Sequence, residues 1–269
     1  MTTPEAFVCE FPFALPFASR QASVSSQPAS YCSNRTRFPF QTHARTSKNT
    51  RRISAILQSS ILIVPPENLV SFSFTAASLR PELIRVIANA FLETGSWELA
   101  KKKIRSSNAL QSRSPRTAVR MEIELRQRLM RLTPGEIQLA AHGIAEERTA
   151  IAWLAALKAS RYIHAFASEV LRGKLSSLDP VVRASDYETF FENQSAVYPS
   201  IATLATSSRA KIRSILLTMI CEAGIGQRAG REVRIHRPVV PPSVYSALLA
   251  DSPHWLAGFL VPDSEIPSN

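Results

Sequence analysis

The stretch IAEERTAIAWLAALKASRYIHAFASEVLRGKL, residues 144–175, decides the fold. Trp153, Leu154, Leu157, Tyr162, Ile163, Phe166 and Val170 recur at helical spacing. The run is too long for a strand, so the pattern predicts one long helix, or two joined near Ala159-Ser160. Its most apolar part, Ile151 to Leu157, falls far short of the ~20 residues that a membrane span needs. It therefore reads as the buried helix of a soluble fold.

Working outward, the same period continues. Leu79, Leu83, Ile84, Ile87, Ala88, Phe91 and Leu92 form a stripe, with Thr75 or Ser78 as cap and Gly95 as stop. Ser96 caps a helix with Trp97, Ala100 and Ile104 inward, fading at Ser106-Ser107-Asn108. Ser114 followed by Pro115 is a strong helix start. That helix carries Val119, Ile123, Leu125, Leu129 and Leu132 inward. Thr133 and Glu136 match a capping box, and their helix stops near His142-Gly143. Ser185 with Glu188 gives a second box ahead of Tyr187, Phe190 and Phe191. Ser207 or Ser208 starts a helix through Ile212, Ile215, Leu216 and Met219, with Gly224 as its stop.

The end differs. Glu232 to His236 alternates like a short strand, Val239 to Pro242 is extended by its prolines, and Ser243 to Ala250 forms a last short helix. The fold class expected is all-α, a compact multi-helix bundle of seven to nine helices with a short extended C-terminal segment. Residues 71–262 are expected to form one domain, with a loose tail at 263–269.

Residues 1–70 read differently. Between Glu10 and Glu67 there is neither an acid nor a glycine, and Ser, Thr, Arg, Phe and Pro dominate. Without periodicity this segment offers no core, so it is expected to be a disordered extension. Its composition fits a transit peptide or upstream sequence read through a wrong start codon, and the second is preferred. Three cysteines, Cys9, Cys32 and Cys221, make neither a disulfide framework nor a zinc pattern. Cys221 reads as core.

Charge is the functional signal. Residues 101–131 hold ten Lys and Arg against Glu122 and Glu124, a net of +8. Residues 71–269 carry 25 basic and 18 acidic residues, a net of +7, so the remainder is close to neutral. Charge so localised repels itself unless a polyanion meets it. The helix starting at Trp97 and the helix starting at Ser114 resemble a helix-turn-helix pair, with a connection longer than the usual tight turn. The candidate nucleic-acid-binding residues are Lys101, Lys102, Lys103 and Arg105 on the first helix, and Arg113, Arg116, Thr117 and Arg120 at the start of the second. Helix N-termini attract phosphate, and Arg adds bidentate contacts. Arg209, Lys211 and Arg213 form a second group, ahead of the basic stretch Arg228, Arg231, Arg234 and Arg237. A solvated basic helical hairpin that interleaves with acidic helices of its own domain is the competing reading.

Enzyme readings find little. The five histidines show no ligand spacing. Ser208-Arg209-Ala210-Lys211 matches Ser-x-x-Lys without supporting motifs, and Gly224-Ile225-Gly226 reads as a helix stop and loop. Glu146-Glu147 and Asp186 with Glu188 read as first-turn acids. His164 reads as a satisfied interior or boundary residue. No catalytic residue, metal or cofactor is expected.

The ordered set Ser73-Phe74-Thr75-Ala76-Ala77-Ser78-Leu79, Glu93-Thr94-Gly95-Ser96-Trp97-Glu98-Leu99-Ala100, Glu124-Leu125-Arg126-Gln127-Arg128-Leu129, Arg161-Tyr162-Ile163 with Phe166 and Glu169-Val170-Leu171, then Lys211-Ile212-Arg213 and Glu222-Ala223-Gly224, resembles the A subunit of BREX phage-resistance systems, the BrxA family. The resemblance covers roughly Ser71 to Pro242. It implies a small, all-helical, cytoplasmic bacterial protein that binds double-stranded DNA and works with other BREX proteins in defence against phage. Members have been labelled inner-membrane proteins, a label no span here supports. The family fold is similar to that of an RNA antitermination factor, which keeps RNA as a second ligand. A protein–protein adaptor within the BREX complex is the rival function. Residues 1–70 depart from the family pattern.

Overall fold

A computed structural model of the chain describes residues 70–267. The expectations for residues 1–69 lie outside the described residues. A 3-10 turn, Ser73–Ala76, leads in. The helices are α1 (Pro81–Thr94), α2 (Trp97–Ser106), α3 (Pro115–Leu129), α4 (Pro134–His142), α5 (Ala145–Ala159), α6 (Arg161–Ala165), α7 (Arg172–Ser176), α8 (Ala184–Val197), α9 (Pro199–Ala202), α10 (Thr206–Glu222) and α11 (Pro242–Asp251). A π-helical segment, Phe166–Leu171, joins α6 to α7. Strands β1 (Val181–Val182), β2 (Gly226–Ala229) and β3 (Glu232–Ile235) make an antiparallel sheet in the order β1-β3-β2. Two 3-10 segments, Pro253–Phe259 and Asp263–Glu265, close the described chain.

The fold is all-α. Among the described residues the eleven α-helices exceed the expected seven to nine because α7 and α9 are single short turns. Every residue from Ile151 to Leu157 is buried, so this part of α5 is apolar all round and runs through the core. Its alanines at 152, 155 and 156 let neighbours approach closely. Helix α1 packs on α2, α4, α3 and α5. The run 144–175 breaks at Ser160, as one of the two readings had it, and the Ser160 hydroxyl accepts from the Ile163 N–H. The π segment was not foreseen, because it keeps Phe166, Ala167 and Leu171 buried much as an α-helix would.

Most termini follow the local signals. Gly95 and Gly224 take left-handed φ values of 64° and 69° and stop their helices. The Thr133–Glu136 capping box is complete. Other starts differ. Helix α1 begins after Arg80, with Pro81 at its first position, while the Ser78 hydroxyl donates to Glu222. Ser96 and Ser114 sit at the expected boundaries without a side-chain cap. Helix α8 begins at Ala184, one residue before the expected Ser185 cap. Asp186 takes the Arg183 N–H at 2.6 Å, and Glu188 is released to pair across to α10. Helix α10 begins at Thr206, before Ser207 and Ser208. The expected loop at Gly226 is the start of β2, which pairs with β3 through a turn at Gly230 (φ 63°). A Cβ at Gly226 would lie 2.6 Å from Val233, so this strand needs glycine where it crosses its partner.

One buried charge organises the packing. Arg128 is fully buried: its Nε donates to Glu124 at 2.9 Å, and its two amino groups donate at 2.8 Å to the carbonyls of Ala77 and Ser78. Burial lowers its pKa, and Glu124 opposes that shift. Glu222 at the end of α10 accepts from the Leu79 N–H at 2.6 Å and from the Ser78 hydroxyl at 2.9 Å. The segment Ala77–Leu79 is thereby clamped between α3 and α10. Arg128→Ala would leave Glu124 and two carbonyls unpaired in the interior. We expect a loss of about 3–5 kcal/mol in urea unfolding, against a change within ~0.5 kcal/mol for the exposed Arg131→Ala.

Candidate nucleic-acid interface

Helices α2 and α3 carry the basic segment, joined by the loop Ser107–Ser114, in which Asn108 and Gln111 take left-handed φ values of 46° and 48°. Helix α3 is amphipathic in charge. Its two acids face inward: Glu122 is wholly buried and Glu124 nearly so. Each serves basic residues from within. Glu122 takes Arg105 from α2 at 2.5 Å and Arg126 one turn on at 2.6 Å, while Glu124 takes Arg128. On α2, Lys101 pairs with Glu98 at 3.0 Å, and Lys103 pairs with Glu93 of α1.

Five of the ten basic residues are therefore neutralised inside the fold or along its edge. The other five, Lys102, Arg113, Arg116, Arg120 and Arg131, are exposed and have no acidic partner among the described residues. Arg116 and Arg120 are one turn apart, roughly 6 Å along the helix. Arg113 and the exposed Thr117 flank them at a helix start that has no side-chain cap. With no cap, the first-turn N–H groups and the helix dipole reinforce the positive field.

The stripe runs on through Ile123, Gln127 and Met130 to Arg131. Ile123 was expected to point inward. It is 36% exposed and Met130 is 50% exposed, so two apolar side chains interrupt the basic face. Beside Arg131 a cleft of ≈ 550 Å³ takes in Ser71, Ser73, Arg126, Gln127 and Ala159.

The second basic group is largely tied down. Arg209 and Arg213 both pair with Glu188, and the Arg209 guanidinium also lies 4.1 Å over the Phe191 ring. Lys211 is the exposed member without an acidic partner among the described residues. In the β2–β3 hairpin, Arg228 donates to the Thr218 hydroxyl at 3.1 Å, Arg231 and Arg234 are exposed, and Arg237 pairs with Glu265. Spacing alone could not separate these roles, because pairing depends on which helix faces which.

His164 departs from its reading as a satisfied residue. Its Nε2 is buried without a hydrogen-bond partner, and burial lowers its pKa, with His254 and Arg172 adding to the shift. Trp153, Tyr162 and Phe190 are buried in the core as expected, and Cys221 packs partly buried against it. Among the described residues no helix is long and apolar enough to cross a membrane.

The two sets of arginines are expected to respond oppositely to substitution. Arg113, Arg116 and Arg120 changed together to Ala should leave the thermal melt within about 2 °C, because no native contact is lost. Arg105→Ala leaves the wholly buried Glu122 with a single partner and should lower the melting temperature by several degrees. Circular dichroism melts of both variants check this.

A family model described as BrxA matches residues 70–252. BREX protein BrxA of Escherichia coli O9:H4 (strain HS) is 29% identical over 140 residues, which cover 52% of this chain and 66% of that protein, just under two thirds of its length. A crystal structure of an uncharacterized protein from Magnetospirillum magneticum superposes with a TM-score of 0.64 at 19% identity, over 71% of this chain and 97% of that one, a likeness of fold. The chain belongs to the BrxA family of BREX phage-defence systems.

Proposed function

We propose that this protein is a non-enzymatic DNA-binding accessory component of a BREX system, gripping double-stranded DNA mainly through the phosphate backbone. It works in the cytoplasm beside other BREX proteins. One observation carries the reading: α3 turns both of its acids into the core and presents Arg113, Arg116, Thr117 and Arg120 to solvent at an uncapped helix start. Lys102 on α2 extends this surface, and Lys101 and Lys103 can exchange their exposed acidic partners for phosphate. Phosphate contacts fix position without reading sequence, so little sequence preference is expected. Arg105 contributes less, because its guanidinium is held by Glu122. Arg209 and Arg213 are held by Glu188 in the same way, which leaves Lys211 as the contact from that group.

The exposed Ile123 and Met130 support a second reading, an adaptor whose basic, partly apolar helix docks an acidic face of another BREX protein. An adaptor has affinity for its partner rather than for nucleic acid.

Fluorescence anisotropy on duplex DNA across a salt series separates the two. Four phosphate contacts, from Lys102, Arg113, Arg116 and Arg120, give a slope of log K against log salt of about −3.6. The Arg113, Arg116 and Arg120 triple alanine variant should keep about one contact and a slope near −0.9. No binding of the wild type at low salt would overturn the reading in favour of the adaptor. Structured RNA at equal salt, binding more tightly than duplex, would move the assignment to RNA.

A further inference from the structure

A cavity of ≈ 570 Å³ opens where α5 breaks into α6, a size typical of small-ligand sites. The junction supplies Lys158, Arg161 and His164, the π segment supplies Ser168 and Glu169, the end of α8 supplies Gln194, and Tyr198 and Trp255 form apolar walls. Several features mark it as more than a packing gap. His164 Nε2 is buried with no hydrogen-bond partner, a condition that asks for an explanation. The His254 ring lies 4.1 Å from Trp255, and the His164 ring stands edge-on to Trp255 at 5.3 Å, so the aromatic groups cluster at one wall. Arg161 is exposed and has no acidic partner among the described residues, whereas nearby Lys158 is held by Glu136 and Asp251. A π-helical turn lines the cavity, and such turns gather at functional sites.

The neighbourhood narrows the ligand. Lys158 and Val70 line this cavity, and their chain neighbours Ala159 and Ser71 line the cleft at the Arg131 end of the basic stripe. The cationic face of α3 thus leads towards the aromatic cavity. We propose that this cavity holds a single unstacked nucleotide, its base between Tyr198 and Trp255 and its phosphate on Arg161. His164, Gln194 and Ser168 offer donors and acceptors to the base edge. Burial lowers the His164 pKa and so favours the neutral ring, which provides one of each. Base–aromatic stacking tolerates any base, in keeping with a surface that reads little sequence. The nucleotide could arrive free or as the unpaired end of a DNA strand. The strand source rests on the DNA-binding reading, and the free source does not.

Isothermal titration of the full chain with dAMP and TMP, with the matching nucleosides, and with a six-nucleotide single strand tests this. The monophosphates or the single strand should bind, the nucleosides at least tenfold more weakly. Arg161→Ala should weaken binding roughly tenfold, and Trp255→Ala should abolish it. Binding of monophosphates assigns the free source; binding of the single strand alone assigns the strand end. If neither monophosphate nor single strand binds, or if both bind with affinities unmoved by Arg161→Ala, the proposal is overturned. Arg161 is exposed, so that variant decides the matter even where Trp255→Ala does not fold. Duplex binding lost only in the α3 triple variant reports on the earlier reading independently.

Discussion

A guanidinium taken out of water must find partners for its charge and its donors, and Arg128 finds them in three places at once. Glu124 balances the charge, and the carbonyls of Ala77 and Ser78 fill the planar fork that only arginine offers. These carbonyls belong to a segment outside any regular helix, where backbone groups need partners from elsewhere. Glu222 completes the arrangement by taking the N–H and hydroxyl on the other side of the same segment. The ends of α3 and α10 and the lead-in to α1 are thereby fixed to one another by charged hydrogen bonds as well as by the apolar contacts of Phe74, Leu79 and Leu125. Such an arrangement stabilises little compared with a hydrophobic equivalent. What it gives is register: α3 has one rotation about its axis that satisfies Arg128.

That rotation sets the character of the outer face. Glu122 is buried too, on another side of α3 where it takes Arg105, while Arg116 and Arg120 are exposed, with Arg113 just ahead of the helix. An acid-free surface follows from the burial of the acids. Pairing leaves five of the ten basic residues without an acidic partner among the described residues, so the charge that faces solvent is smaller than the segment's net +8 but is concentrated on Lys102, Arg113, Arg116, Arg120 and Arg131.

Sequence alone revealed the fold class, the central helix and the location of the basic segment. Those depend on period and composition, which are local. The interior partners of Arg105, Arg128, Arg209 and Arg213 depend on helix-to-helix facing, which no spacing rule supplies. The Ser185–Glu188 pair matched the capping pattern, yet Arg183–Asp186 won by placing the cap two residues earlier. Strand β2 escaped because Gly226-Gln227-Arg228-Ala229 has neither alternation nor β-branched residues, and only pairing with β3 makes it a strand. The cavity at the Ser160 break escaped for a related reason. Arg161 and His164 lie far along the chain from Tyr198 and Trp255, and the four share no motif.

The family match ends at residue 252, but the structure does not end its core there. Trp153 on the central helix donates to the Gly258 carbonyl at 3.0 Å, and Leu256, Phe259, Leu260 and Val261 are buried. Gly258 lies so close to Leu157 that a Cβ there would stand 2.5 Å from a methyl group. A domain boundary drawn by similarity at Ser252 would uncover the buried stretch of the central helix and leave an indole donor unpaired. The last segment, beyond the reach of family resemblance, is a wall of the same interior and belongs to the smallest unit able to fold.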